Sequence, residues 1–147
     1  MSPRAAWRLE RLGFERVYDY VPGKMDWLSF GRAHEGTAQL AGDMLHSDVP
    51  TCSVESRLGE MKSRLDEEGA AFCVAVGDDG VVAGIVQGSA LNANPALAIE
   101  EVMEFGVSTV RPAEEVGPLR ERMRSSGVEG TLVTRSDGRF LGLLLGE

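Results

Sequence analysis

The chain has 147 residues, of which 43% are hydrophobic and 26% are charged. This length and composition suit one compact domain or a tight tandem of small units, and they exclude a disordered chain. Residues 1–32 carry six basic against four acidic side chains, whereas the whole chain has a net charge of -8, so the remainder is strongly acidic. An acidic body argues against nucleic acid and against anionic membrane surfaces as partners.

The sequence carries no sign of export or membrane insertion. No stretch approaches the roughly 20 apolar residues of a membrane span, and the start lacks the apolar core of a signal peptide. The two cysteines, Cys52 and Cys73, are too few for a disulfide framework or a zinc site. We therefore expect a cytoplasmic protein without a bound metal, in which Cys73 is a buried thiol.

Residues 1–36 predict an extension made of a helix, a strand and a second helix. The first helix begins with Ser2 as its N-cap and Pro3 in its first turn, and Gly13 closes it. The alternating segment ERVYDY, residues 15–20, predicts a short strand. Apolar residues after Pro22-Gly23 predict the second helix; they are Met25, Trp27, Leu28 and Phe30.

The rest of the chain contains an internal repeat, because a shift of 58 residues aligns two segments without gaps. Apolar positions agree, and the Asp79-Gly80 pair falls on Asp137-Gly138. Glycines agree as well, which indicates the same special backbone conformations in both segments. The matching glycine pairs are Gly59 and Gly117, Gly69 and Gly127, Gly84 and Gly142, and Gly88 and Gly146.

Each repeat predicts a strand, a helix, and a hairpin of two strands. The helices carry apolar residues at spacings of three and four and end at Gly69 or Gly127. An Asp-Gly pair between two apolar runs is a strong hairpin signal. A further helix over residues 96–104 is predicted to bridge the repeats. One unit of about 45 residues buries too little surface to be stable alone, so we expect two sheets packed together with a pseudo-twofold axis and a cleft between them.

This arrangement, seen twice over residues 43–147, resembles the CBS repeat. The resemblance implies an α/β (α+β) fold, a CBS-domain pair with two β-α-β-β repeats, the first over residues 37–95 and the second over residues 96–147. It also implies a regulatory module without catalytic residues, which senses an adenine-containing small molecule and controls an unidentified protein partner. Such pairs commonly associate face to face, so the resemblance further implies a homodimer.

The family's ribose-binding signature is a glycine, two apolar residues, Thr or Ser, two further residues and Asp. The first repeat has Gln87 and Ala90 at the Thr and Asp positions, with Ser89 nearby, and the second has Leu145 and then ends at Glu147. Leucine cannot form the hydrogen bond, so we expect the second site to be inactive. Loss of a charge-assisted hydrogen bond commonly costs about 1.5–3 kcal/mol, or roughly ten- to a hundredfold in affinity.

Four apolar residues match family positions that line the adenine pocket: Val49, Pro50, Phe72 and Cys73. With Gln87 and Ser89 they form the predicted binding site, for which no cofactor is expected. Simpler explanations stand beside this prediction. The four apolar residues are also typical of a plain core, and Gln87 is also explained as a solvent-facing residue at the end of a strand.

Residues 2–31 resemble the last third of a rhodanese sulfurtransferase domain, directly after its catalytic loop. The nucleophilic cysteine of that family has no counterpart here, since both cysteines belong to the repeats. We expect these residues to cover the sheet face of the second repeat, which lacks the family's closing helix, or alternatively to form a loosely ordered tail. The covering residues would be Trp7, Leu9, Leu12, Phe14, Trp27 and Phe30.

Three functions remain open at this point. The first is a regulatory module with a weakly bound adenine-containing ligand in the cleft. The second is a ligand-free module for protein interaction or dimerisation, which the degenerate ribose signature favours. The third is the remnant of a rhodanese–CBS fusion without sulfurtransferase activity. None of the three assigns a catalytic residue to this chain.

Overall fold

A computed structural model describes residues 3–146, without the side chains of Met25 and Ser29. The predicted N-cap at Ser2 and the terminal Glu147 lie outside the described residues. Helix α1 spans Pro3–Arg11 and helix α2 spans Gly23–Ser29, as the sequence predicts. The strand predicted over residues 15–20 is wrong, because this segment is irregular and pairs with none of the described strands. Alternation alone does not make a strand where no neighbouring strand supplies hydrogen bonds.

The first repeat forms the predicted order of elements. Strand β1 spans Thr51–Ser53, helix α3 Leu58–Glu68, strand β2 Phe72–Val76 and strand β3 Val82–Gln87. Helix α3 ends at Gly69, whose φ of 67° is the left-handed conformation that glycine adopts without strain. Its apolar stripe is buried against the sheet, which gives this unit its own core; the stripe consists of Leu58, Met61 and Leu65.

The second repeat repeats this order. Strand β5 spans Thr109–Val110, helix α5 Val116–Ser125, strand β6 Gly130–Thr134 and strand β7 Phe140–Leu145. The helix predicted to bridge the repeats is shorter than residues 96–104. Helix α4 spans only Ile99–Val102, and strand β4, Glu104–Phe105, follows it directly. The α+β fold expected from the sequence is therefore confirmed, in the form of two sheets with order β1-β2-β3-β4 and β5-β6-β7.

Backbone pairing between strands recurs in the second repeat at positions 58 residues later. Thr51 pairs with Val74 in the first sheet, and Thr109 pairs with Leu132 in the second. The antiparallel pairs of β2 with β3 recur in β6 with β7, and an irregularity in register falls at the same place in both. The hairpin turns meet on the axis, where the Val82 amide donates to the Gly138 carbonyl and the Phe140 amide to the Gly80 carbonyl. The pseudo-twofold relation is therefore confirmed.

The two units exchange the segments that precede them. Strand β4, which leads into the second repeat, pairs with β3 of the first. The equivalent position before the first repeat, His46, bridges to Leu143 of β7. Ile99 is fully buried in the core of the first unit, and its counterpart Ala41 is fully buried in the core of the second. The segment before the second repeat therefore completes the core of the first unit, and the segment before the first repeat completes the core of the second.

This exchange corrects the expected role of the N-terminal helices. Residues 40–45, rather than α1, pack on the core of the second unit, through Ala41, Met44 and Leu45. No residue of α1 is buried, and Trp7 is 58% exposed. In helix α2 the side chain of Leu28 is buried, and it lines a cavity together with Leu45 and Leu141 of the second unit's surroundings. The sequence predicted Leu28 as part of the helix but not as a residue that covers the sheet. The expectation of a covering α1 is wrong because the leading segment already occupies that face.

Matched glycines explain how the exchanged segments approach so closely. A Cβ atom added at Gly84 would lie 2.5 Å from the carbonyl oxygen of Glu104. A Cβ atom added at Gly142 would lie 2.7 Å from the carbonyl oxygen of His46. These two carbonyls are 58 residues apart, as the two glycines are. The recurrence of glycine at this position therefore follows from the exchange of strands.

Candidate functional site

A cleft of about 410 Å³ lies between the two units, a size typical of small-molecule sites. Both hairpins contribute to it, because β2, β3, β6 and β7 meet beside the pseudo-twofold axis. Its walls are mainly apolar, and several of these side chains remain half-buried rather than buried. The apolar lining residues are Phe72, Ile85, Val107, Val128, Leu132, Leu143 and Leu145.

Two of the six predicted site residues meet in this cleft. Phe72 opens β2 and Gln87 closes β3, and the two are direct partners across the ladder, so both line the cavity. Gln87 also borders a neighbouring cavity of about 530 Å³, which Ser89 helps to line. The structure thus places Phe72, Gln87 and Ser89 along one continuous edge of the first unit.

The other three predicted residues lie away from the cleft lining. Cys73 is buried in the core of the first unit and is only 1% exposed. Pro50 precedes β1, and its carbonyl accepts a hydrogen bond of 2.9 Å from the Val74 amide. Val49 is half-buried and lines none of the cavities around Gln87. The sequence prediction grouped residues of one repeat, whereas the cleft joins residues of two.

The counterparts of Val49 and Pro50 in the second repeat do line the cleft. They are Val107 and Ser108, which face the end of β3 together with Val128 and Glu129. Thr131, the counterpart of Cys73, also lines it and supplies a largely buried hydroxyl. These five residues were not predicted from the sequence, although the shift of 58 residues leads directly to three of them, Val107, Ser108 and Thr131. They belong to the second repeat, whose site was expected to be inactive because Leu145 stands at its ribose position, and Leu145 lines the cleft as well.

The polar groups of the cleft are few. The Gln87 amide nitrogen donates a hydrogen bond of 3.2 Å to the Glu104 carboxylate, and its amide oxygen offers an acceptor. Thr131 and Ser108 add hydroxyls, and Glu129 adds a carboxylate at the rim. Such groups can hold the edge of a base or a ribose hydroxyl by hydrogen bonds.

A smaller cavity of about 190 Å³ shares Val107 with the cleft and contains Arg111. The Nη1 group of Arg111 donates to the Arg135 carbonyl at 2.7 Å, and to the hydroxyl and carbonyl of Thr134. The equivalent position in the first repeat is Ser53. This guanidinium therefore ties β5 to the end of β6, and it distinguishes the two units chemically.

Cys52 and Cys73 are the two free thiols, and they touch each other in the core of the first unit. The hydrogen bond with Cys52 raises the pKa of Cys73 far above its ordinary value, and burial raises it further. The same hydrogen bond lowers the pKa of Cys52. A thiol with a raised pKa stays protonated at neutral pH, so Cys73 is a poor nucleophile.

Among residues 3–146, no group of three or more His, Cys, Asp or Glu side chains is placed to hold a metal ion. Within the same range, no helix combines the length and apolar character needed to cross a membrane.

Comparison with known proteins supports the fold rather than a specific function. No protein-family model matches the sequence, and no curated protein matches it. Solved structures do match. The CBS domains of a transcriptional regulator from Streptococcus pneumoniae share 15% identity, with a TM-score of 0.65 over 73% of this chain and 92% of that one.

Two further structures agree with this match. A putative acetoin utilization protein from Vibrio cholerae shares 17% identity, with a TM-score of 0.67 over 74% of this chain and 85% of that one. A CBS-domain pair in complex with 5′-methylthioadenosine and S-adenosyl-L-methionine shares 21% identity, with a TM-score of 0.61 over 75% of this chain and 91% of that one. Together with the duplicated register, these likenesses show that the chain has the fold of a CBS-domain pair.

Proposed function

We propose that this chain is a regulatory CBS-pair module that binds an adenine-containing small molecule weakly in the cleft between its units, without catalysing a reaction. The observation that carries the proposal is the cleft itself. Its apolar walls suit a flat base, and the lining residues Gln87 and Thr131 carry groups that can form hydrogen bonds with a ligand. The similar CBS-domain pair that was solved with two adenosine derivatives supports the choice of ligand class.

Weak binding follows from the side chains at the end of each hairpin. Ala90 and Leu145 stand where the resemblance implies an acidic and a hydroxyl side chain, so no carboxylate accepts hydrogen bonds from ribose at those positions. A missing charge-assisted hydrogen bond weakens binding roughly ten- to a hundredfold. Burial of the base against half-buried apolar walls offsets part of that loss.

A thermal-shift experiment tests the proposal. Adenosine derivatives at about 1 mM, if bound with a dissociation constant near 10 µM, stabilise the fold by roughly 2.7 kcal/mol and raise its melting temperature by several degrees. The variant Val107→Trp fills the cleft and should abolish the shift. A matched control, Val21→Trp, changes an exposed residue of the N-terminal extension and should preserve it. Absence of a shift with every adenosine derivative would contradict the proposal.

A second function is favoured by a separate observation, the exposed apolar surface of the N-terminal extension. Trp7, Phe14 and Tyr18 are each more than half exposed, and an accumulation of large apolar side chains at the surface is typical of interaction sites. On this alternative the chain is a ligand-free module for protein interaction or homodimerisation.

Sedimentation equilibrium over a range of protein concentrations separates the two functions. Reversible dimerisation that Trp7→Ser weakens would support the interaction module. A monomer at all concentrations, together with a ligand-dependent thermal shift, would support the sensor alone.

A further inference from the structure

We infer that the cleft between the units selects uncharged adenosine derivatives and discriminates against nucleotides that carry a 5′-phosphate. This inference rests on the proposed function, because it specifies the ligand class of the same cleft. It is carried by the charges of the lining residues rather than by the shape of the cavity.

The cleft offers a phosphate no cation. Among the described residues that line it, Glu129 alone is charged, and Lys and Arg are absent. A second carboxylate, Glu104, lies next to the cleft because it accepts the hydrogen bond from Gln87. A phosphate monoester carries a charge of about -1.5 to -2 at pH 7, and stable phosphate sites supply Arg, Lys or clustered backbone amides. Both local carboxylates repel such a group.

Basic side chains beside the cleft are already engaged in hydrogen bonds. The Nε group of Arg120 donates a hydrogen bond of 3.2 Å to the carbonyl of the lining residue Leu145. Arg111 lines the smaller cavity that shares Val107 with the cleft, and its Nη1 group donates to acceptors of Thr134 and Arg135. Turning this guanidinium toward the cleft would leave those acceptors without their donor, which costs free energy when they are part-buried. The acidic body of residues 33–147 adds a long-range potential of the same sign as the phosphate.

The apolar walls suit a neutral substituent instead. Ile85, Leu143 and Leu145 are half-buried lining residues, so a methyl or thioether group placed against them removes apolar surface from water. A neutral nucleoside pays no penalty for transferring a charge into this environment, whereas a phosphate does. The chemistry of the lining therefore favours a nucleoside, or a nucleoside with an apolar 5′ group.

Calorimetric titration of the full chain with adenosine, 5′-methylthioadenosine and AMP at low ionic strength tests the inference. We expect AMP to bind at least tenfold more weakly than the two uncharged compounds. Added salt should strengthen AMP binding by screening the repulsion and leave adenosine binding unchanged. The variant Glu129→Gln should raise the ratio of AMP affinity to adenosine affinity about three- to tenfold, because the nucleoside part of both compounds meets the same altered rim.

Glu60→Gln is the matched control, because it removes an exposed carboxylate from helix α3 rather than from the cleft; it should alter neither affinity. AMP that binds as tightly as adenosine would overturn the inference and leave the proposed function standing. Tighter AMP binding that Arg111→Gln abolishes would overturn it as well, by showing that the phosphate reaches Arg111. If none of the three compounds binds, the proposed function itself fails.

Discussion

Replacing Gly84 by alanine tests whether the exchanged strand holds the two units together. The added Cβ atom would lie 2.5 Å from the Glu104 carbonyl oxygen and 3.0 Å from the Met103 sulfur. A backbone oxygen in a paired strand cannot give way cheaply, so β4 must separate from β3. Overpacking of this kind costs about 1–3 kcal/mol.

A smaller effect opposes this cost. Alanine restricts the unfolded chain more than glycine does, which stabilises the fold by about 0.4–1 kcal/mol. We therefore expect Gly84→Ala to lower the free energy of unfolding by about 1–2 kcal/mol, and the melting temperature by about 3–8 °C for a chain of this length. Urea unfolding followed by circular dichroism measures the free energy of unfolding, and a thermal scan followed by the same signal measures the melting temperature.

The repeat supplies a second test and a control. Gly142→Ala places its Cβ atom 2.7 Å from the His46 carbonyl oxygen and should be similarly destabilising. Gly117→Ala lies in helix α5 with no neighbouring atom within 4 Å, so it should stabilise the fold by about 0.5–1 kcal/mol. If Gly84→Ala is as stable as the unmodified chain while Gly117→Ala behaves as expected, the close approach of the exchanged strand is refuted.

Three further predictions concern the cores and the extension. Ile99→Ala should cost about 2–5 kcal/mol in urea unfolding, because this linker residue is fully buried in the first unit; a loss below about 1 kcal/mol would place it outside the core. A chain that begins at Glu15 should melt within about 2 °C of the full chain in calorimetry, since no residue of α1 is buried, and a larger fall would show that α1 packs. The hydrogen bond with Cys52 and burial raise the pKa of Cys73, so its thiol stays protonated as the pH rises from 7 to 9. Mass spectrometry should therefore show Cys73 unalkylated by iodoacetamide in the native chain over this range and alkylated in urea, whereas rapid native alkylation would contradict a buried, protonated thiol.

The repeat made most of the fold predictable. Glycine at 69 and 127 marks two helix ends, and the Asp-Gly pairs mark two hairpin turns, so local residue chemistry specified each element separately. The exchange of leading segments could not be predicted in the same way. Alignment of Ile99 with Ala41 shows that they are equivalent, but not which unit each one packs against. A strand of two residues, such as β4, also carries no periodic signal.

Packing between the units also explains why only some of the predicted site residues line the cleft. Phe72 was predicted from the family's adenine-pocket positions and Gln87 from its ribose signature, and the structure brings them together because they are partners within one hairpin. Val49 and Pro50 were predicted because they match family positions that line the adenine pocket, whereas the cleft is lined by their counterparts Val107 and Ser108. The choice between the two equivalent pairs depends on how the units face each other across the axis. That arrangement is a property of packing between the units, which single-repeat patterns do not contain.

The exchange of leading segments also governs the order in which the chain can fold as it is synthesised. The core of the first unit requires Ile99 and Met103, so it cannot close when residue 87, the end of its own hairpin, leaves the ribosome. Ala41 is synthesised much earlier, but it can be buried only after the second unit has been synthesised, because it packs in that unit's core. Domains commonly fold one after another during synthesis. Here the core of the first unit stays incomplete until residues 99–103 have been synthesised, so we expect the two units to reach the native state together.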